Sequence, residues 1–235
     1  GLRLTALENR TTGRVWQPAL DASPFAGGEF LVQWDVVSYS ARQATELLAV
    51  DTRADADAVF LYITLRVAGA LDVTVCCRLH DGADVIEQWL EISARQPGVL
   101  SSVAPLTISA ASVPTPMLHW VRGIQNHGAG MPETGPYPAF QVRHEALGAV
   151  SLESGLRSTW HEIAWLALDS ADNGDGLFTG LLYSGRWSAA AQAVDSGGVT
   201  LDLTTAGYAL PLAAGEHWTS PAAFVGLYHG DLDDA

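Results

Sequence analysis

The chain has 235 residues and a mass of 24.9 kDa, with 12 basic residues against 26 acidic ones and a formal net charge of −14. All 12 basic residues are arginine, which removes Schiff-base and pyridoxal lysine chemistry, the phosphate-loop lysine and a lysine general base. The acidic balance argues against nucleic acid and against anionic membranes as partners, because both are held by basic clusters.

A chain of this length buries enough surface on folding for a sizeable core. Its 16 % of charged residues is low for a globular protein. Two causes fit: a β-rich surface of Ser, Thr, Gly and Ala, or a face normally covered by something else. No stretch approaches the unbroken apolar run of a membrane helix. Residues Gly1–Arg14 lack the basic-then-apolar shape of a signal peptide, so a cytoplasmic location is expected.

In chain order, alternation with period two dominates, the pattern of strands with one buried face. Strands are predicted over Phe30–Tyr39, Val59–Val67, Leu71–Leu79 and Val85–Ile92. The last two flank a hairpin-type Asp81-Gly82. Met117–Ile124, Ile163–Leu168, Leu177–Tyr183 and Val199–Thr204 follow, with Gly, Pro, Asn and Asp between them. Ser40–Val50 places Ala44, Leu47 and Leu48 at helical spacing, which fits two or three helical turns or an irregular loop. Gln125–Tyr137, rich in Gly and Pro, reads as a surface loop. Many strands with little helix predict an all-β fold, a large antiparallel sandwich filling residues 1–235 as one domain.

The two cysteines are neighbours, Cys76 and Cys77. Successive strand residues point to opposite faces, so both are expected as free packing thiols in a reducing compartment. Trp160-His161-Glu162-Ile163-Ala164-Trp165 starts like a zinc-protease signature, but Trp165 stands where the second His belongs. Asp169–Gly176 has the composition of a calcium loop without its alternating acids or closing Glu. No histidine pair has metal-ligand spacing, and no Gly-x-Ser-x-Gly elbow occurs. No metal and no cofactor are therefore expected. Eight tryptophans supply either core bulk or platforms for the apolar faces of sugar rings.

Three segments carry a resemblance. Ser154-Gly155-Leu156-Arg157-Ser158-Thr159-Trp160-His161 is followed by Leu177–Trp187, which contains Tyr183-Ser184-Gly185. Leu212-Ala213-Ala214-Gly215-Glu216-His217-Trp218-Thr219-Ser220-Pro221 comes next. In that order they resemble the N-terminal β-supersandwich domain of glycoside hydrolase family 36, the α-galactosidases, a galactose-mutarotase-like fold. Leu7–Arg14 is similar to the family's first hairpin, and Val85–Ile92 to a strand in mid-domain. Two departures mark a divergent branch. Ile163-Ala164-Trp165 replaces an Asn-Pro, and the run after Pro221 ends Leu227-Tyr228-His229-Gly230-Asp231.

The resemblance implies that catalysis belongs to a (β/α)8 barrel outside these residues, with no catalytic residue in this chain. It implies that barrel, a second copy of the chain and an α-galactoside-type sugar as partners. Trp160, His161 and Trp187 are the candidate carbohydrate-binding residues, by motif position and stacking chemistry. Three readings stay open: a non-catalytic domain of an α-galactosidase-like hydrolase, a free-standing carbohydrate-binding module, and an aldose 1-epimerase-like enzyme.

Overall fold

The computed structural model describes residues 5–17, 29–111, 113, 115–122, 142–154, 161–170, 174–193 and 198–230. The strands are β1 (Leu7–Asn9), β2 (Arg14–Trp16), β3 (Leu31–Trp34), β4 (Val37–Ser40), β5 (Ala44–Ala54), β6 (Ala58–Val67) and β7 (Leu71–His80). Next come β8 (Val85–Ala94), β9 (Gly98–Ala104), β10 (Thr107–Ala110), β11 (Pro116–Arg122), β12 (Val142–Ala146), β13 (Ala149–Glu153) and β14 (Glu162–Ser170). The last are β15 (Asp175–Leu182), β16 (Arg186–Ala193), β17 (Val199–Ala206), β18 (Leu210–Leu212), β19 (His217–Thr219) and β20 (Ala222–His229).

These strands form a ten-stranded sheet in the order β12-β11-β14-β15-β20-β8-β7-β6-β5, with β19 on β8. They also form an eight-stranded sheet in the order β13-β16-β17-β9-β3-β4, with β10 on β17 and β18 on β9. β1 and β2 make a separate hairpin, and every pairing among the described residues is antiparallel. The all-β sandwich expected from alternation is what the chain forms.

Inward residues of both sheets make two apolar clusters. One joins Leu166, Leu168, Leu177 and Val225 of the large sheet to Trp187, Ala189, Leu201 and Leu203 of the small one. The other joins Val73, Val75, Leu90 and Ile92 to Val32, Trp34, Leu100 and Val103. On β17 the buried positions are Val199, Leu201, Leu203 and Thr205, alternating with half-buried ones as a one-face strand requires.

The segment from Ser40 departs from expectation. Ser40 caps a single 3-10 turn over Ala41–Gln43, and Ala44–Ala54 is then a strand, not helical turns or a loop. The register explains the misleading spacing. Ala44, Leu47 and Val50 pair with Val67, Leu65 and Ile63, while the pairing skips Thr45 and Leu48. Each bulge adds one residue, so the residues on one face recur every third position on β5 against every second on β6. That three-residue period imitates a helix.

Cys76 and Cys77 lie on opposite faces of β7, and both are free. Burial pushes the Cys76 thiol up to about 12 and Cys77 up to about 11, so neither is a nucleophile near neutral pH.

Candidate functional site

The outward face of the ten-stranded sheet holds the densest set of chemistry-bearing side chains. His119 on β11 meets Asp169 on β14, with Nε2 to Oδ2 at 3.0 Å, and the Tyr228 hydroxyl on β20 donates to the same oxygen at 3.3 Å. His119 and Tyr228 are buried, 8 % and 5 % exposed. Cross-strand register brings the group together. Met117 pairs with Asp169, Asp169 with Gly176, and Gly176 with Tyr228, with His119 one row away.

A lattice of aromatic rings and glycines adjoins it. A methyl group built on Gly176 would enter the Tyr228 ring, one on Gly180 the Phe224 ring, and one on Gly226 the Phe178 ring. The rings therefore lie flat over glycine backbone. Phe178 stands 6.2 Å from Phe224 and 6.5 Å from Tyr228, centroid to centroid. Trp165 pairs with Gly180 in the same row as Phe224. Further along, Arg78 forms an ion pair with Glu87, and His80 Nε2 is 3.9 Å from the second Glu87 oxygen.

The three nominated residues fall elsewhere. Trp160 lies outside the described residues. Trp187 is 1 % exposed within the inter-sheet core, so it offers solvent no ring face on which a sugar can stack. His161 is half-exposed, with Nδ1 3.7 Å from Glu153 Oε1. Ser154 ties His161 and Trp187 together. Its carbonyl accepts from the His161 N–H at 3.3 Å, its hydroxyl accepts from the Trp187 N–H at 2.9 Å, and its own N–H donates to the Trp187 carbonyl at 2.9 Å.

The other motif residues are used in the same way. Gly185 sits against the Tyr183 ring where no side chain fits. Gly215 adopts φ +86°, and the Glu216 carboxylate accepts from the Ala213 N–H at 2.7 Å, closing that turn. Ser220 receives the Leu90 N–H on its hydroxyl at 2.9 Å and donates its own N–H to the Leu90 carbonyl at 2.8 Å.

Burial pushes the Asp202 carboxyl up to about 6. Its strand neighbours are Ala190 on β16 and Thr107 on β10, neither of which carries a charge to offset the carboxylate. The shift therefore acts on stability. Its folded pKa lies above the unfolded value near 3.8, so folding loses stability as pH rises between those values and stays lowered above about pH 6. Asp202→Asn should stabilise the protein by ~2 kcal/mol at pH 8 and by almost nothing at pH 4, read from urea unfolding at both.

Among the described residues, no three His, Cys, Asp or Glu side chains gather closely enough to hold a metal ion. No described helix is long and apolar enough to cross a membrane.

No family model and no curated protein matches the chain. Solved structures do. GH36 α-galactosidase AgaA from Geobacillus stearothermophilus superposes over 93 % of this chain and 33 % of its own, with TM-score 0.66 and 16 % identity. The α-galactosidase of Lactobacillus brevis matches 97 % of this chain and 33 % of its own, with TM-score 0.64 and 14 % identity. α-N-acetylgalactosaminidase NagBb from Bifidobacterium bifidum matches 97 % and 36 %, with TM-score 0.60 and 10 % identity. The likeness is one of fold. The chain spans about a third of the length of these neighbours.

The sequence pointed to the motif segments but not to the His119, Asp169 and Tyr228 group, whose members come from three strands. Its available signal was outward parity on β11, β14 and β20, together with glycines opposite aromatics.

Proposed function

We propose that this chain is a non-catalytic, single-domain β-supersandwich of an α-galactosidase-like glycoside hydrolase. It supports a catalytic (β/α)8 barrel and assembly with further copies, and the sugar is met by the parent enzyme. The observation that carries this reading is how the resembling residues are used. Ser154, Glu216 and Ser220 satisfy backbone groups, Gly215 supplies a positive-φ turn, and Gly185 makes room for the Tyr183 ring. Residues used in this way keep a fold in shape, and the fold is the one that occupies a third of the α-galactosidase chains. Free thiols, one buried and one half-buried, fit a reducing compartment such as the cytoplasm.

The test is hydrolysis of nitrophenyl α-galactoside by the 235-residue chain. No release of nitrophenol above buffer is expected at protein concentrations of tens of micromolar. Turnover that follows the protein through a second purification would overturn the proposal, since retaining hydrolysis needs a paired nucleophile and acid/base that this reading assigns elsewhere.

One observation favours carbohydrate binding as a second reading, with different residues from those nominated by motif. The half-buried rings of Trp165, Phe178 and Phe224 share one sheet face with Glu87 and Asp169. Tryptophan fluorescence that stays flat under galactose and raffinose titration removes it.

A further inference from the structure

The large sheet ends in an uncommon edge. β5 has 11 residues, against 5 for β12 at the opposite edge and 5 and 4 for the edges β13 and β4 of the small sheet. Every β5 residue after Ala44 is exposed. It pairs with β6 on one side, and in the described structure its other side is open. Edge strands are ordinarily blunted by lysine, proline, bulges or inward charges. β5 contains no Lys or Pro, and the face it shares with inward-pointing Leu65 and Ile63 carries Leu47, Val50, Thr52 and Ala54. Its two bulges lie at Thr45 and Leu48, leaving Ala49–Ala54 in regular register with Val59–Thr64. The hairpin beyond is fixed, because Asp55 Oδ1 accepts from the N–H groups of Asp57 at 2.9 Å and Ala58 at 2.8 Å.

We infer that β5 pairs antiparallel with β5 of a second copy of this chain, about a twofold axis at Thr52. This names a surface for the self-association included in the proposed function, and rests on that part of it. A twofold axis perpendicular to the sheet brings like faces together, so in the bulge-free stretch a residue must pair with one of the same parity. A centre at Asp51 opposes two aspartates, and a centre at Arg53 opposes two arginines; both are unfavourable. A centre at Thr52 sets Asp51 opposite Arg53 of the copy, twice, with Thr52 facing Thr52. Within one chain Arg53 Nε lies 3.2 Å from Asp51 Oδ2 and its guanidinium 5.2 Å from the Tyr62 ring, so dimerisation exchanges one exposed ion pair per chain for two across the seam, between side chains 71 % and 56 % exposed.

The same register gives two exposed valines a neighbour. Val50 is 58 % exposed and Val59 is 53 % exposed. In the pairing Val50 lies opposite Ala54 of the copy, which is itself paired with Val59 of that copy. A copy also supplies what a closed barrel cannot, a free strand edge of matching length.

Analytical ultracentrifugation of the 235-residue chain should show a species of twice 24.9 kDa. Arg53→Asp opposes like charges at both pairs and should raise the dimer dissociation constant about tenfold or more. The charge exchange Asp51→Arg with Arg53→Asp should restore dimerisation. Thr52→Cys gives an independent readout, because facing Cα atoms across an antiparallel pair lie about 4.5–5.5 Å apart, within disulfide reach. Mild oxidation should crosslink this variant and not the wild type, whose Cys76 is buried and Cys77 half-buried. A monomer at ~100 μM, a dimer indifferent to Arg53→Asp, or absence of the Thr52→Cys crosslink would each overturn the inference. A monomeric chain leaves barrel support standing, whereas hydrolysis by this chain sinks the functional reading without touching the dimer.

Discussion

Trp187→Ala should lower the free energy of unfolding by about 3–5 kcal/mol, the cost of emptying a large, closed aromatic site. The ring is 1 % exposed and belongs to the cluster that joins the two sheets. Its backbone is held by Ser154 through hydrogen bonds at 2.9 Å in both directions, so the strand cannot readily close the gap. Urea unfolding with an unchanged slope would report the loss as stability rather than as a change in compactness. A loss below about 1 kcal/mol would mean that the ring is not packed, and would return Trp187 to the role of a surface platform. The fully buried placement predicts the large loss.

Gly226→Val should be nearly as damaging, at about 3 kcal/mol, and for the opposite reason. Gly226 is opposite Phe178 across β15 and β20, and a Cβ there meets the Phe178 ring. The ring has no easy retreat, because Phe224 and Tyr228 stand on either side at 6.2 and 6.5 Å. Combining Gly226→Val with Phe178→Ala should recover part of the loss, since the clash is then gone; strictly additive losses would show that the two positions are not coupled. Gly148→Ala is the matching control. Nothing lies within 4 Å of the added carbon, so its effect should stay within about 0.5 kcal/mol. Thermal or urea unfolding of the three variants side by side separates overpacking from a general intolerance of change at glycine.

Much of the sandwich was legible as alternation. Leu71–Leu79 and Val85–Ile92 became β7 and β8 with one or two extra residues, and the divergent faces of Cys76 and Cys77 followed from strand parity alone. β5 was not legible, because its two bulges converted a period of two into a period of three. Periodicity reports which side chains share a face, and it cannot distinguish a bulged strand from a short helix when the counts coincide. The motif segments were found by their order, yet their use was hidden. Ser220 pairs with Leu90, 130 residues away, and no local pattern announces a hydroxyl that replaces a strand partner. For the same reason Trp187 looked like a ligand platform: motif position carries no information about burial. The His119, Asp169 and Tyr228 group stayed invisible until three strands were placed in register.

The outward face with that group holds a carboxylate, an imidazole and a phenol, while the proposed function assigns sugar chemistry to a barrel outside these residues. Polarimetry on freshly dissolved α-galactose is the most direct measurement. Optical rotation should relax at the buffer rate whatever amount of the 235-residue chain is added, as that assignment requires. A relaxation rate that rises in proportion to protein, and falls when Asp169 is changed to Asn, would contradict it.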